Sequence, residues 1–441
     1  MATIGRAVVV GGSMAGLGAA AYLARHCDEV VLVERREWTD GRSVAPQAGL
    51  PHVLLAAGGR VLSELLPGGS AALAAAGADR GGPDPARIPG HWAAAGAVRD
   101  HIALPGSTLT PAMCSRDLLE HGVRTGVSQL PAVSMRHDTV ERLLVSREGR
   151  AVGVVLRDGR EVEADLVVDA SGRTLPLVGT PGVPTPPTSE VHVDVRYTSF
   201  LVERRPEDFA GGSFGIVQNT AGVPRGGVAV PHESGAWQVG LTGYFGDGAP
   251  SDSAGARAFA ASLPDPVLAP LLERPFLAAP RHYRFRCSKR RHWERLRRYV
   301  EGYVPIGDAV ASFNPIYAQG MSSALVQARV LDQTLREHGT ADISRRMARG
   351  CARVVGAPWL MATGGDFVYP QTRGHRPLGQ PLVNAYVDRV LRAAAVDEEV
   401  NAAFSAVQQL LAPPAALFAP SVVARVARAG GRAPRRVAVR V

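Results

Sequence analysis

Residues 8–16 read Val-Val-Val-Gly-Gly-Ser-Met-Ala-Gly, and this stretch constrains the fold more than any other. A β-branched run breaks into a glycine-rich turn and passes at once into an alanine- and leucine-rich segment (Leu17 to His26), followed by a second apolar run from Val30 to Val33. Such a chain is held to strand, tight turn, helix and strand, which is one βαβ unit. Gly11 permits the turn off the strand, and Gly16 lets helix and sheet approach. Between them Gly12, Ser13, Met14 and Ala15 open a helix whose N–H groups and positive dipole end suit a pyrophosphate. Ser13 stands where a glycine is usual, and it is small enough for the position. Glu34 closes the second strand eighteen residues after Gly16, where a carboxylate can accept hydrogen bonds from ribose hydroxyls; Arg35 beside it is a further candidate contact. The pattern predicts a dinucleotide site without separating FAD from NAD.

Farther along, the spacing predicts a helix from His52 to Leu66, stopped by Pro67-Gly68-Gly69, and another from Ser115 to Gln129. Residues 70–110 carry weak periodicity and read as a loose excursion. Ser134 to Val168 alternates like a β-meander, and runs at 191–202, 226–230 and 237–241 predict a second sheet. A helix is expected near Ala254 to Leu263, a return to the first unit between Tyr299 and Gln333, and two last helices near 382–394 and 398–411. The expected division is 1–185 with 281–345, then 186–280, then 346–441.

Composition narrows the partners. The 441 residues carry a net charge of +9, which raises the question of a polyanion. Yet Lys289 is the single lysine, and the arginines are scattered except beside Lys289, Arg290 and Arg291 and in the tail from Arg425 to Arg440. No aromatic-plus-basic recognition module accompanies them, so no nucleic-acid partner is expected. Cys27, Cys114, Cys287 and Cys351 lie far apart, and the twelve histidines show no ligand spacing; neither a metal site nor a disulfide framework is expected, and a cytoplasmic home follows. His282, His292 and His375 read as surface or turn residues. The first strand starts at once, leaving no room for a leader, and no apolar run of about 18 residues predicts a spanning helix. The stretch 410–424, broken by Pro413, Pro414 and Pro420, is expected to pack on the body.

Two later motifs separate the cofactors. Val304-Pro305-Ile306-Gly307-Asp308-Ala309, running into Phe313-Asn314-Pro315-Ile316-Tyr317-Ala318-Gln319-Gly320-Met321, resembles the "GD" signature of the flavoprotein monooxygenases related to para-hydroxybenzoate hydroxylase. Asp165 to Arg173, with Asp169 and Gly172, resembles that family's Asp-Gly stretch, opened here to Asp-Ala-Ser-Gly. The segment Arg42 to Leu55 and the run Cys114 to Glu120, with Arg116, are similar to the branch of squalene-epoxidase-like enzymes, polyether epoxidases and FAD-containing [4+2] cyclases. Gly49 and Leu50 depart from that branch, and His52 is kept.

The resemblance implies an α/β fold: a Rossmann-type FAD-binding domain, an inserted antiparallel β-sheet substrate domain and a helical C-terminal cap. It implies non-covalent FAD, with Asp308 on a ribityl hydroxyl and Pro315, Gly320 and Met321 near the ring. It also implies NADPH or NADH as a transient reductant, O2 as co-substrate, and oxygenation of an apolar secondary metabolite such as a polyketide or terpenoid through a flavin C4a-hydroperoxide. No catalytic side chain is singled out, because such chemistry belongs to the cofactor. Tyr197, Phe200, Tyr244 and Phe245 are candidates to line an apolar pocket. The alternative is a non-redox cyclase that keeps FAD as a structural element. The oligomeric state stays open, with a monomer favoured.

Overall fold

The computed structural model describes residues 4–39, 41–108 and 111–430; the basic tail beyond 430 lies outside them. Strand Ile4–Val10, helix Met14–Leu23 and strand Cys27–Glu34 form the βαβ unit that the first motif demands. The two strands lie at the centre of a five-stranded sheet ordered Tyr303–Pro305, Leu166–Asp169, Ile4–Val10, Cys27–Glu34 and Val133–His137, every pair parallel. Its central strands are continuous apolar runs because both faces are covered. The helix Met14–Leu23 is buried nearly all round, which its small side chains allow.

The predicted meander is present as Val140–Val145, Ala151–Leu156 and Glu161–Glu163, ordered antiparallel beside the main sheet. The second sheet is larger than expected. Its centre is Thr188–Glu203 between Ala236–Tyr244 and Arg281–Arg291, and it continues through Arg225–Pro231 and Gly215–Val217. Strands Arg87–Ala94 and Ala97–Ala103 extend it, so the expected loose excursion is instead a hairpin on the sheet edge. Its alternation was masked by alanines and glycines, while Ile88, Trp92 and Ile102 carry its buried side.

One face of this sheet is apolar and packs under helix Ser253–Ala261 and the turn Pro266–Glu273 through Phe200, Trp237, Val239 and Leu241. The opposite face looks toward the loop that follows Gly307. Helices Gln380–Ala394 and Glu398–Gln408 cover the hairpin, where Arg99 is clamped between Trp92 and Phe404 and donates to Asn401 Oδ1 (2.8 Å). The predicted helix from His52 begins only at Ala56, after a two-residue strand at Val53–Leu54. No helix among the described residues is long and apolar enough to cross a membrane.

Candidate functional site

The carboxyl ends of the parallel strands gather the three separated motifs at one cleft, where ligands of such sheets bind. Val10 leads into the glycine turn, Asp169 ends its neighbour, and Gly307 follows the next strand over. Backbone approach is extreme at two points. A Cβ on Gly16 would collide with the Gly11 carbonyl, and one on Gly307 would stand 2.7 Å from Ala15 Cβ, with φ at +63°. The loop after Gly307 is thereby pressed onto the first turn of helix Met14–Leu23.

The outer end of the glycine turn is organised by Glu34. Its carboxylate accepts from Gly12 N (2.7 Å) and Arg36 N (2.9 Å), tying the end of the second strand to the turn. Ser13 is bound into a buried cluster: Arg116 Nη2 donates to Ser13 Oγ (2.9 Å) and Arg116 Nε to Glu120 Oε1 (2.9 Å), while Ser13 and Ser43 donate their hydroxyls to Glu120. Burial alone would raise Glu120, but Arg116 and the two hydroxyls outweigh it and hold the carboxyl below the ordinary range. Arg116 is therefore a buried, paired cation beside the turn.

Asp308 differs. Its carboxylate has no hydrogen-bond donor among the described residues, and only its backbone oxygen is used, by Arg291. Burial pushes it up, while the nearby charges of Arg173, Arg116 and Arg291 pull it down. Arg173 also has a buried Nη1 without a partner, although its Nη2 donates to Cys287 O (2.9 Å) and its guanidinium lies over Phe285. The cleft thus keeps an unanswered anion and an unanswered cation donor. A dinucleotide fits this donor set: glycines where a Cβ cannot stand, a helix start with exposed N–H groups, and a carboxylate lacking a protein partner.

Asp169 is placed otherwise. Its oxygens accept from Ser171 N (3.0 Å) and Tyr303 OH (2.6 Å), so it braces the cleft from below, fully buried. Met14 and Met321 are core side chains that offer only backbone to the cleft. Arg35 and Arg42 are exposed, and Gly320 begins helix Gly320–His338 with Pro315 one short turn earlier. His52 Nδ1–H donates to Leu50 O (2.7 Å); burial, then the Arg116 charge, drives it down to about 3.

A second cluster lies under the loop 313–320. Tyr197 donates to Asn314 Oδ1 (2.6 Å), Asn314 Nδ2 donates to Asp366 Oδ1 (2.9 Å), and Tyr244 donates to the same oxygen (3.0 Å). Asp366 Oδ2 is buried without a partner, and Tyr317 and Tyr369 stand close by. Burial raises the Asp366 carboxyl to about 7. The sequence marks Asp366, with Asn384 and Asp388, only as part of the C-terminal pattern that carries the family resemblance, and assigns it no role; its setting among Gly364, Gly365, Phe367 and Tyr369 was the local signal.

The tryptophan halogenase family profile matches residues 123–349, more than half of the chain. The chain belongs to the tryptophan halogenase family. It is also 31% identical over 421 residues to Protein Rv3254 of Mycobacterium tuberculosis (strain ATCC 25618 / H37Rv), covering 89% of this chain and 86% of that protein. Among solved structures it is similar to the tetrameric form of 2-methyl-3-hydroxypyridine-5-carboxylic acid oxygenase, with a TM-score of 0.62, 19% identity and coverage of 83% and 91%. It is similar as well to the Diels-Alderase PyrE3 of the pyrroindomycin pathway, with a TM-score of 0.58, 17% identity and coverage of 92% and 80%. At these identities the two structures establish the shared fold, which is the α/β architecture with a second sheet expected from sequence.

In this member of the tryptophan halogenase family, other expectations are corrected. His292 is buried, not a surface residue; it pairs with Ser189 Oγ (2.8 Å) and Glu294 (3.0 Å). Glu190, His192 and Cys287 bring potential ligand atoms within 4.8 Å of one another, but Lys289 Nζ already stands 2.8 Å from Glu190 and Arg173 Nη2 lies 3.6 Å from Cys287 Sγ. Two cations beside the group oppose a metal ion there.

Proposed function

We propose that this chain holds FAD non-covalently in the cleft and, with NADPH or NADH as reductant, oxygenates a small molecule by epoxidation or hydroxylation. The observation that carries the reading is Asp308, a partly buried carboxylate beside three arginines and without a hydrogen-bond donor among the described residues. Leaving such a group unanswered is costly, and a ribityl hydroxyl would answer it. Gly11, Gly12, Ser13, Ala15 and Gly16 would hold the pyrophosphate on the helix start and Glu34 the ribose. Arg116 and Arg173 would balance the phosphate and ring charge. Arg35 and Arg42 would close from the solvent side, and Gly172, Pro315, Gly320 and the Met321 backbone would flank the ring.

When bound, the flavin supplies electron transfer and oxygen activation. The chain's own residues do the positioning. The Asn314–Gly320 loop is anchored by Tyr197 and Asn314 to the large sheet, which fixes the wall against which a substrate is held. Leu50 and Pro51 lie over that sheet and exclude water. In this reading 1–185 and 281–345 hold the cofactor, 186–280 together with the hairpin 87–103 faces the substrate, and 346–441 closes the site.

The test is to mix purified protein with NADPH or NADH without oxygen and follow the flavin's visible absorption, then admit oxygen and analyse product from extracts with and without halide. Bleaching, oxygen-dependent recovery and a product gaining one oxygen atom support the reading; a halide requirement would replace oxygenation by halogenation. A second reading, a cyclase that keeps FAD structurally, is supported by the fold likeness to PyrE3. Protein that stays yellow and never bleaches, yet cyclises a polyene, would establish it instead. Protein that cannot be loaded with FAD sinks both.

A further inference from the structure

On the large sheet's cleft-side face, directly paired residues point the same way. Tyr283 opposes Tyr197, Tyr197 opposes Thr242, and Thr242 opposes Gly226, so these four form one row across four strands. Asn219, on the hairpin after Gly215–Val217, lays its amide over Gly226: a Cβ there would stand 2.8 Å from Asn219 Cγ. The row therefore runs from Tyr283, which shares the electrostatic neighbourhood of Asp308 and Arg173, to a polar pair made by Thr242 and Asn219.

Thr242 has neighbours on every side of this face. Along its own strand Gly240 lies beneath Pro51, whose Cγ is 2.8 Å from where a Cβ would be, and Tyr244 on the other side is tied to Asp366. Across the strands stand Tyr197 and the Asn219 amide. Thr242 is 4% exposed, and its Oγ1 has no hydrogen-bond partner; Asn219 Oδ1 and Nδ2 are also buried without one. The hydroxyls around Thr242 are answered, although Gln238 Oε1 farther along the same strand face and Asp366 Oδ2 are also buried without a partner. Thr198, on the opposite face, donates to Ala249 O (2.7 Å), and Tyr197 and Tyr244 both have partners. Three unanswered atoms on one stretch of the sheet face oppose folding, and a ligand group that pairs with them accounts for their retention.

We propose that Thr242 and Asn219 bind a neutral carboxamide-type group of the substrate, one that carries a hydrogen-bond donor beside an acceptor. A hydroxyl and a primary amide each give and accept, and neither is charged, so a carboxamide or lactam completes both. A hydrocarbon would leave all three atoms unanswered, which sharpens the expectation of an apolar substrate to an apolar body with one polar end. Tyr283 is two strands from Thr242, roughly 10 Å at about 4.8 Å per strand, and this sets the reach from the polar end to the cleft. The inference rests on the reading that FAD occupies the Asp308 cleft.

The experiment titrates FAD-loaded protein calorimetrically with benzamide, acetophenone and isopropylbenzene, which share a shape and differ in donor and acceptor. Wild-type protein is expected to prefer benzamide. Thr242→Val and Asn219→Leu should each reduce that preference on the order of tenfold, with Tm equal to or above wild type, and Thr242→Ser should keep it. No benzamide preference in wild type, a preference unchanged in Thr242→Val and Asn219→Leu, or a lowered Tm showing that these groups serve the fold, overturns the proposal. FAD content is measured in every sample: wild-type protein without FAD refutes the cofactor reading, whereas FAD-loaded protein without the preference refutes this inference alone.

Discussion

Tyr244 donates its hydroxyl to Asp366 Oδ1 at 3.0 Å, joining the strand Ala236–Tyr244 to the end of helix Ile343–Asp366 through one carboxyl group sealed from solvent. Asn314, from the loop after Gly307, donates to the same oxygen. Sheet, cofactor-side loop and C-terminal helix therefore meet at a single titratable group.

That group makes stability depend on pH. Burial raises Asp366 to about 7 in the folded chain, against about 4 when unfolded. Between those values the folded protein binds the proton and the unfolded chain does not, so stability falls as pH rises through the window, by up to about 1.4 kcal/mol per unit. Above pH 7 the loss is complete. Asp366→Asn keeps an acceptor for Tyr244 and Asn314 and cannot titrate. Its Tm should decline less than wild type's from pH 4 to 7 and exceed it above pH 7. Parallel Tm profiles would show that Asp366 does not titrate in this way.

Asp308→Ala separates cofactor binding from folding. No donor among the described residues serves the Asp308 carboxylate, and its charged form is disfavoured by burial, so its removal should not lower the Tm of the FAD-free protein. A charge-assisted hydrogen bond to a ribityl hydroxyl is worth about 1.5–3 kcal/mol, so FAD should bind at least about tenfold more weakly. Equilibrium dialysis against FAD and thermal melting of the stripped protein check the two halves independently.

Glu34→Ala should behave in the opposite way with respect to folding. Gly12 N and Arg36 N both lose their acceptor, and a donor left unsatisfied costs about 1–3 kcal/mol. The FAD-free protein should melt lower, and FAD affinity should also fall. A variant that melts like wild type would mean water replaces the carboxylate.

The contrast between these two acids shows where the sequence could be read. Gly11 to Gly16 and Glu34 announce themselves because strand, turn, helix and carboxylate are contiguous, and local spacing then settles their geometry. Helix Arg116–Ser128 was legible as well, with Ser115 accepting from Leu118 N at its start. The hairpin 87–103 was not, because its small residues carry little period-2 signal and the strand it joins, Gly215–Val217, lies more than a hundred residues away. The surroundings of Asp366, Thr242 and Asn219 were hidden for a related reason: each takes its character from groups that long-range pairing brings around it. Arg173 closed a motif and Arg291 belonged to a basic cluster, but that both act on the charge of Asp308 became visible only in the fold.

Gly307→Ala tests whether the close approach of the two motifs is required. The residue has φ of +63°, donates its N–H to Gln327 Oε1 (3.0 Å), and leaves 2.7 Å between an added Cβ and that of Ala15. An alanine therefore meets both a left-handed backbone and the first turn of helix Met14–Leu23. Strained backbone of this kind costs about 1–3 kcal/mol, and relief requires the loop carrying Asp308 to move outward. The variant should lose stability in that range by denaturant melting and should bind FAD more weakly than its stability loss alone explains, because Asp308 would be displaced from the ribityl contact proposed for it. Alanine accepted without loss of either would show that the loop and the helix start are not packed as tightly as their backbones indicate.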